Sequence, residues 1–528
     1  MIGWLLLTIC VSIILFVGMQ QFVIGDASLY ASISKRMYLQ DDYFRLFLGE
    51  KPYLQKPHLL FWLSSLSFSV FGVNTLAFKL PSILIGLSGV FALYLFGKKA
   101  MNERVGFWAA FIWFFSLAFM LHTNDIHMDT MMTGFILWTA YFWLRFVYDD
   151  GIKWLMIGSV PLAFAMMTKG PLGAFVPVSG LVFALLAKGG FKEVFRWPML
   201  LALLLVVILI SPVLYSVYLQ HGLDGLLFYA WENNAGRVER SDGGTKDVFF
   251  YMHTMAWFFL PWALLFIYAF GRTIHNFWQR KCSLSTVFAF GSFITFFVVA
   301  SLADQQAPHY LYSLLPFAAF LTSVYANDDQ HLRAKNILLA IPCVATFLLA
   351  TVGLVIFPPT NFLMIVVSVC SFASAVLFAS DNNGLRRLFL LNAVGITLLF
   401  GVVNIQLFQL YFQPHDAIVQ AVYMVNETMK QGDKLYILDE SDHHQARADF
   451  YANHGVQQIS DAKELSFNES FFVISSEREL LDLLAEAEPN AQHSFAYLLL
   501  TKPLKSVSFA MKSTEEEMPQ IFLLDYTK

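Results

Sequence analysis

Apolar windows of about 17–25 residues recur through the first four-fifths of this chain, each long enough to cross a hydrocarbon layer of ~30 Å. No other feature limits the fold as much. In lipid every backbone N–H and C=O must find a partner within its own segment, so the windows are read as helices. Composition agrees. Of 528 residues, 57% are hydrophobic and 14% charged, whereas a soluble domain carries about 25% charged residues. The net charge of −4 argues against a nucleic-acid partner. The first window has no basic n-region and no small-residue cleavage site, so it is expected to stay as a span. Cys10, Cys282, Cys343 and Cys370 show no disulfide framework and are read as small core residues.

Thirteen spans are expected, at about 2–24, 78–97, 105–121, 131–147, 154–168, 171–187, 199–218, 253–271, 285–302, 311–326, 337–357, 361–379 and 388–410. The connections then alternate in charge. One set carries Lys98, Lys99 and Arg104; Lys153; Lys188, Lys192 and Arg196; Arg272, Arg280 and Lys281; Arg333 and Lys335; Arg386 and Arg387. The positive-inside rule makes these loops and the N-terminus cytoplasmic. The other side receives the long connection 25–77, the segments near 122–130, 168–171, 219–252 and 303–310, and the tail. In the bacterial inner membrane, the default assignment, that side is the periplasm. The expected organisation is a transmembrane domain over 1–412 and an outer α/β domain over 413–528. In the latter, strand-like KLYILD and FFVISS alternate with helix-like DAIVQAVYMVNETM and SERELLDLLAEAE. The DHH at Asp442–His444 supplies no further ligand spacing and reads as a solvated loop.

Ionisable residues at membrane depth mark function by default, and here they collect in the outer connections. In FVIGDASLYASISKRM, Asp26 and Tyr30 are four apart and share a helical face. Leu29, Ile33 and Met37 form an apolar stripe while Lys35 and Arg36 point elsewhere, the pattern of an amphipathic helix in the interface. Asp26 also suits an N-cap. In EKPYLQKPHLLFW, Pro52 and Pro57 hold Lys51 and Lys56 off any helix. Lys56 then stands beside a surface-lying apolar helix, either as a snorkelling lysine or as a phosphate ligand. HTNDIHMDTMM offers His122, Asp125, His127 and Asp129, which read as a metal cluster or as an ordinary helix start. Lys169 lies at a Gly-Pro break, FYAWENNAGRVER carries Glu232, Asn234, Arg237 and Arg240, and QQAPHYLYSLLP carries His309 and Tyr310. Fixed cations beside carboxylates suit an anionic lipid headgroup, because Arg and Lys match phosphate oxygens and a carboxylate can take a proton or orient a nucleophile.

DASLYASISKRM followed by KPYLQKPHLLFWLSSLSFSVFG resembles the polyprenyl-phosphate-sugar glycosyltransferases of the GT-C class. Within that class it resembles the bacterial aminoarabinose (lipid A) transferase and protein-mannosyltransferase-like branch. MD at 128–129, TKGP at 168–171, NAGR at 234–237 and PHYLYSLLP at 308–316 follow in the family's order and spacing. The resemblance implies a polytopic α-helical membrane fold of about thirteen spans, with amphipathic outer-face helices and a small C-terminal α/β domain. It also implies that Asp26 and Asp129 are catalytic, and that Tyr30, Lys56, Lys169, Arg237 and His309 bind substrate. The implied activity moves a sugar from a polyprenyl-phosphate donor, with inversion, to lipid A or to a protein hydroxyl. Ala27, Gln55 and Gln306 depart from the pattern. Gln55 stands where the family has Glu, and a neutral amide is the weaker metal ligand, so no cofactor is assigned and a divalent metal is not expected. A secondary transporter is the competing class, but polar residues gathered at one face and two dissimilar halves speak against it.

Overall fold

The structure, a computed structural model, describes residues 1–528 apart from 125–127, 233–246, 329, 413–415, 431, 440, 461–463, 466–469, 476–497, 500–521 and 527–528. It divides into two compact units. The larger comprises Met1–Gln20, Leu54–Leu63 and Lys79–Gln406, and the smaller Gln21–Tyr53, Ser64–Phe78 and Leu407–Lys528. The connection expected over 25–77 thus contributes to both.

The larger unit is all helical among its described residues. Eight described helices are long and apolar enough to cross a membrane, or nine if one bent pair counts as a single span. At the other expected spans the helices are shorter, interrupted or more polar. The bent pair replaces the continuous span expected over 105–121: Glu103–Phe114 is followed by a second helix from Leu117, turned by 58°. Its backbone groups are satisfied at the break. Ser116 caps the second helix by accepting from the Phe119 N–H at 3.2 Å. The Leu117 N–H donates to the Leu260 carbonyl at 2.9 Å, and the Trp262 indole N–H donates to the Phe115 carbonyl at 3.0 Å. The span expected over 253–271 is likewise two helices, Phe250–Phe258 and Ala263–Trp278. The one expected over 311–326 opens with a 3-10 turn, Pro308–Leu314.

The helices Met128–Asp149 and Ile152–Lys169 form an antiparallel hairpin joined at Asp150 and Gly151. At the joined end, Lys99 pairs with Asp149 at 2.6 Å and Arg196 with Asp150 at 2.6 Å. Three of the basic connections singled out by charge therefore meet at one end of these helices. Arg272, which donates to Gln330 at 2.6 Å, ties two more together, and Lys335 pairs with Asp328 within the second of them. Lys335, expected in a connection, lies in the first turn of the helix Leu332–Ile356 and is fully buried.

The smaller unit is built on a sheet. A hairpin pairs β1 (Phe47–Leu48) with β2 (Lys51–Pro52). The described residues of the tail form a five-stranded sheet from β3 (Lys434–Leu438), β4 (Val456–Ile459), β5 (Phe471–Ser475), β6 (Leu498–Leu499) and β7 (Phe522–Tyr526), in the order β4-β3-β5-β7-β6. β3 runs parallel to β4 and β5, and β7 antiparallel to β5 and β6. β3 and β5 are the runs expected to be strands. Both are buried on both faces, as parallel strands between covering layers are. The helix Ala417–Thr428, capped by Asp416, presents Ile418, Ala421, Val422 and Val425 at helical spacing to the core. The helix expected at SERELLDLLAEAE lies outside the described residues. The DHH stretch is not a loop: Asp442–Tyr451 is a helix crossing from β3 to β4, with Asp442 in its first turn.

Candidate functional site

Each group of polar residues is described within its own unit. In the smaller unit the helix Asp26–Gln40 follows Gly25, whose φ of 51° is a left-handed conformation that favours glycine. Gly25 is therefore the cap residue and Asp26 the first helical residue, so the N-cap reading of Asp26 does not hold. Its carboxylate accepts from the Tyr30 hydroxyl at 3.2 Å, the i, i+4 contact expected. Tyr30 is buried and Asp26 half-buried.

This helix is packed within the smaller unit. Ten of its fifteen residues are buried, Lys35 among them at 8% exposure. Periodicity aimed Lys35 outward, but the helix Asp442–Tyr451 covers that face. The Lys35 ammonium donates to the carbonyls of Asp449 and, at 2.7 Å, Ala452. Ser32 donates to the Asp449 carboxylate at 2.6 Å. Burial lowers the Lys35 pKa, while the negative charge of Asp449 opposes the shift. Lys51, on β2, pairs with Asp442 at 3.0 Å in an exposed contact.

In the larger unit Asp129 sits in the first turn of Met128–Asp149 and Lys169 in the last turn of Ile152–Lys169. The chain leaves Lys169 through Gly170, at φ 73°, and then Pro171. The open end of the hairpin thus brings the two side chains together. Lys169 Nζ lies 2.8 Å from each Asp129 carboxylate oxygen, with side chains 10% and 3% exposed. An acid at a helix start and a base at a helix end each complement the helix dipole. Lys169 also stands 5.0 Å from the centre of the Tyr310 ring, within cation–π range. Tyr310 and His309 belong to the 3-10 turn, their rings edge-to-face at 4.7 Å. That turn is steadied by buried Tyr251, whose hydroxyl donates to the Ala307 carbonyl at 3.3 Å and accepts from the Ala307 N–H at 3.2 Å. His122 stacks on Tyr312 at 4.4 Å, and Thr130 donates to its carbonyl at 3.0 Å.

Lys56 is half-buried in a bend before the helix Leu59–Phe71, which exposes Leu66, Val70 and Phe71. Arg237 lies outside the described residues, as do Asp125, His127, Asn234 and Arg240. Among the described residues no three His, Cys, Asp or Glu side chains converge as metal ligands would. Three partners were not singled out from sequence. Tyr251 is hidden in an aromatic run. Asp449 lies far along the chain from the helix it holds. Lys79, buried inside the helix Thr75–Ala100, donates to the Gly18 carbonyl at 3.0 Å; a lysine inside an apolar helix is itself the signal that finds it.

Against known proteins, residues 55–215 match the family model described as dolichyl-phosphate-mannose-protein mannosyltransferase. A protein of Aquifex aeolicus is 26% identical over 344 residues, 63% of this chain and 66% of its own length. The undecaprenyl phosphate-alpha-4-amino-4-deoxy-L-arabinose arabinosyl transferase 1 of Proteus mirabilis is 23% identical over 347 residues, 63% of this chain and 62% of its own. The matches thus span somewhat less than two thirds of those relatives. In structure, the crystal form of ArnT from Cupriavidus metallidurans bound to undecaprenyl phosphate superposes with a TM-score of 0.77 at 16% identity, covering 99% of this chain and 98% of that one. The chain has the GT-C fold. The likeness reaches beyond the motif-bearing residues 20–320 to the whole GT-C chain, the tail included.

Proposed function

We propose that this protein is a membrane glycosyltransferase that moves a sugar from a polyprenyl-phosphate donor to lipid A at the periplasmic face of the bacterial inner membrane. The observation that carries the reading is the ordered set of motifs, from Asp26 to His309, within a fold whose crystallised counterpart bears undecaprenyl phosphate. The charges fit the orientation. Basic connections gather at the joined end of the hairpin, and Asp129 and Lys169 form its other end, with the Tyr310 ring against Lys169.

In this mechanism the bond between the anomeric carbon and the phosphate oxygen breaks, and its electron pair leaves on the phosphate. A bond from the acceptor oxygen forms on the opposite face, inverting the centre. Lys56 and Arg237 stabilise the departing phosphate. Lys169, with both Asp129 oxygens on its ammonium, brings no net charge of its own. In this reading the Asp129–Lys169 pair shapes the cavity wall with Tyr310, and His309 lines it. Asp26, oriented by Tyr30, positions an acceptor that is already ionised, or takes the proton if the acceptor is a hydroxyl. A protein hydroxyl is the second acceptor reading, favoured by the mannosyltransferase family match.

The test is mass spectrometry of lipid A and envelope glycoproteins with and without the gene, together with release of polyprenyl phosphate from a sugar-loaded donor by purified protein. Loss of an amino-sugar increment from lipid A supports the first reading, and loss of a hexose from glycoproteins the second. A purified protein that releases no polyprenyl phosphate from any sugar-loaded donor refutes both and revives transport.

A further inference from the structure

Within the smaller unit, the helix opened by Asp26 is held at three places by one short stretch, 449–452, more than four hundred residues later in the chain. Ahead of Asp26, the Val23 N–H donates to the Tyr451 hydroxyl at 2.9 Å. Two turns into the helix, Ser32 donates to the Asp449 carboxylate at 2.6 Å. One turn further, the Lys35 ammonium meets the carbonyls of Asp449 and Ala452. Those carbonyls belong to the last turn and the C-cap of the helix Asp442–Tyr451, where a helix leaves its C=O groups without intrahelical partners. An ammonium there satisfies orphan acceptors and complements the dipole. Ser32 is 1% exposed and Lys35 8%, so water does not substitute for these contacts. The Asp449 carboxylate adds an opposite charge.

Burial makes this a specific arrangement and not an adhesive one. A lysine costs several kcal/mol to desolvate unless its donors are met, and an apolar residue would satisfy the packing with less penalty. What Lys35 adds is a defined register between the two helices, since its donors reach the helix end at one axial position only. Asp26 lies nine residues, about two and a half turns, from Lys35 on the same rigid helix. A slip at Lys35 is therefore carried to the carboxylate.

We propose that Lys35 and Asp449 are positioning residues for Asp26, and that the C-terminal unit takes part in the reaction by holding the Asp26 helix in register. This rests on the glycosyl-transfer reading above and extends it to the role of the tail. Neither residue touches the substrate. Their effect belongs in kcat, because a misplacement of about 1 Å costs roughly 10²-fold in rate.

The experiment uses the full-length protein in nanodiscs, as wild type, Lys35→Met, Lys35→Arg, Asp449→Asn and Ser32→Ala. It measures polyprenyl-phosphate release from a sugar-loaded donor and hydrogen–deuterium exchange of the amides at 24–30. Lys35→Met and Asp449→Asn are expected to lower kcat roughly 10–100-fold with donor KM within about twofold, and to speed exchange at 24–30 by about tenfold or more. Lys35→Arg is expected to recover part of kcat. Wild-type kcat per folded molecule in Lys35→Met, or unchanged exchange at 24–30, overturns the proposal. If Lys35→Met does not fold, Asp449→Asn and the milder Ser32→Ala decide by the same two readouts. If the wild type turns over no donor, the glycosyl-transfer reading has failed, and exchange alone decides whether 449–452 holds the Asp26 helix.

Discussion

Removing one partner of the Asp129–Lys169 pair takes from the other its opposite charge inside the larger unit, and the cost follows from the geometry. Both carboxylate oxygens lie 2.8 Å from Nζ, and the two side chains are 3% and 10% exposed. Breaking such a buried pair costs about 3–5 kcal/mol, most of it the penalty on the remaining charge. Loss of the ammonium also forfeits the Tyr310 contact at 5.0 Å, worth about 0.5–2 kcal/mol. Lys169→Met is thus expected at the upper end of the range and Asp129→Asn at the lower. The double variant leaves no charge at these two positions and is expected to cost less than either single change, so the coupling in the cycle is about 3 kcal/mol or more. The assay is reversible unfolding in mixed micelles with rising SDS fraction, followed by tryptophan fluorescence. Single variants within about 1 kcal/mol of wild type, or additive costs in the double, would refute the reasoning and make the pair a solvated surface contact. Donor turnover in the folded double variant then says what the pair contributes to chemistry beyond structure.

Asp26→Asn keeps size and shape and can still accept from Tyr30. It is expected to abolish transfer with the unfolding midpoint unchanged, and near-normal turnover would remove Asp26 from the mechanism. Lys56→Ala is expected to raise the donor KM by about tenfold, as loss of one charge-assisted phosphate contact does, with unchanged donor kinetics counting against the assignment. For Lys35 the sign follows from its lowered pKa: the folded protein binds this proton less tightly than the unfolded chain, whose lysine titrates near 10.5. Its contribution disfavours folding at neutral pH, and that cost is relieved as pH rises from the lowered value to 10.5. The stability of wild type relative to Lys35→Met is therefore expected to improve as pH rises toward 10.5, read by thermal unfolding across the alkaline range. A flat or falling difference contradicts it.

The parts of the molecule that local sequence determines were legible. Helices lie at every place where apolar windows were found, because in lipid the backbone has no other partner. Loop charge separated connections that meet in space, as Lys99 with Asp149 and Arg196 with Asp150 demonstrate. What sequence did not reveal depended on distant partners. The breaks at Phe115–Ser116 and Phe259–Trp262 exist because each segment satisfies the other's backbone. Lys35 reads as an outward lysine on an amphipathic helix, and only the helix Asp442–Tyr451 turns that face into a core. Strands β4, β6 and β7 are short or end in polar residues, and each is defined by its pairing: β4 with β3, β7 with β5, and β6 with β7. The i, i+4 contact of Asp26 with Tyr30 was legible, whereas the chelation of Lys169 by Asp129 was not: forty residues separate them, and the hairpin alone closes the distance.

That closure bears on the division of labour among the cations. The helices Met128–Asp149 and Ile152–Lys169 have 22 and 18 residues, about 33 and 27 Å at ~1.5 Å per residue. A hairpin of those lengths returns to its starting level, so its open end must hold the start of one helix beside the end of the other. There the Asp129 carboxylate, in the first turn of one helix, and the Lys169 ammonium, in the last turn of the other, neutralise each other where both are buried. The pair is a sound structural solution there before any substrate arrives. A phosphate approaching Lys169 must compete with a carboxylate that already holds it through two oxygens. The two residue types that the motifs supply at this end thus form one buried ion pair that closes the hairpin, with the Tyr310 ring against its ammonium.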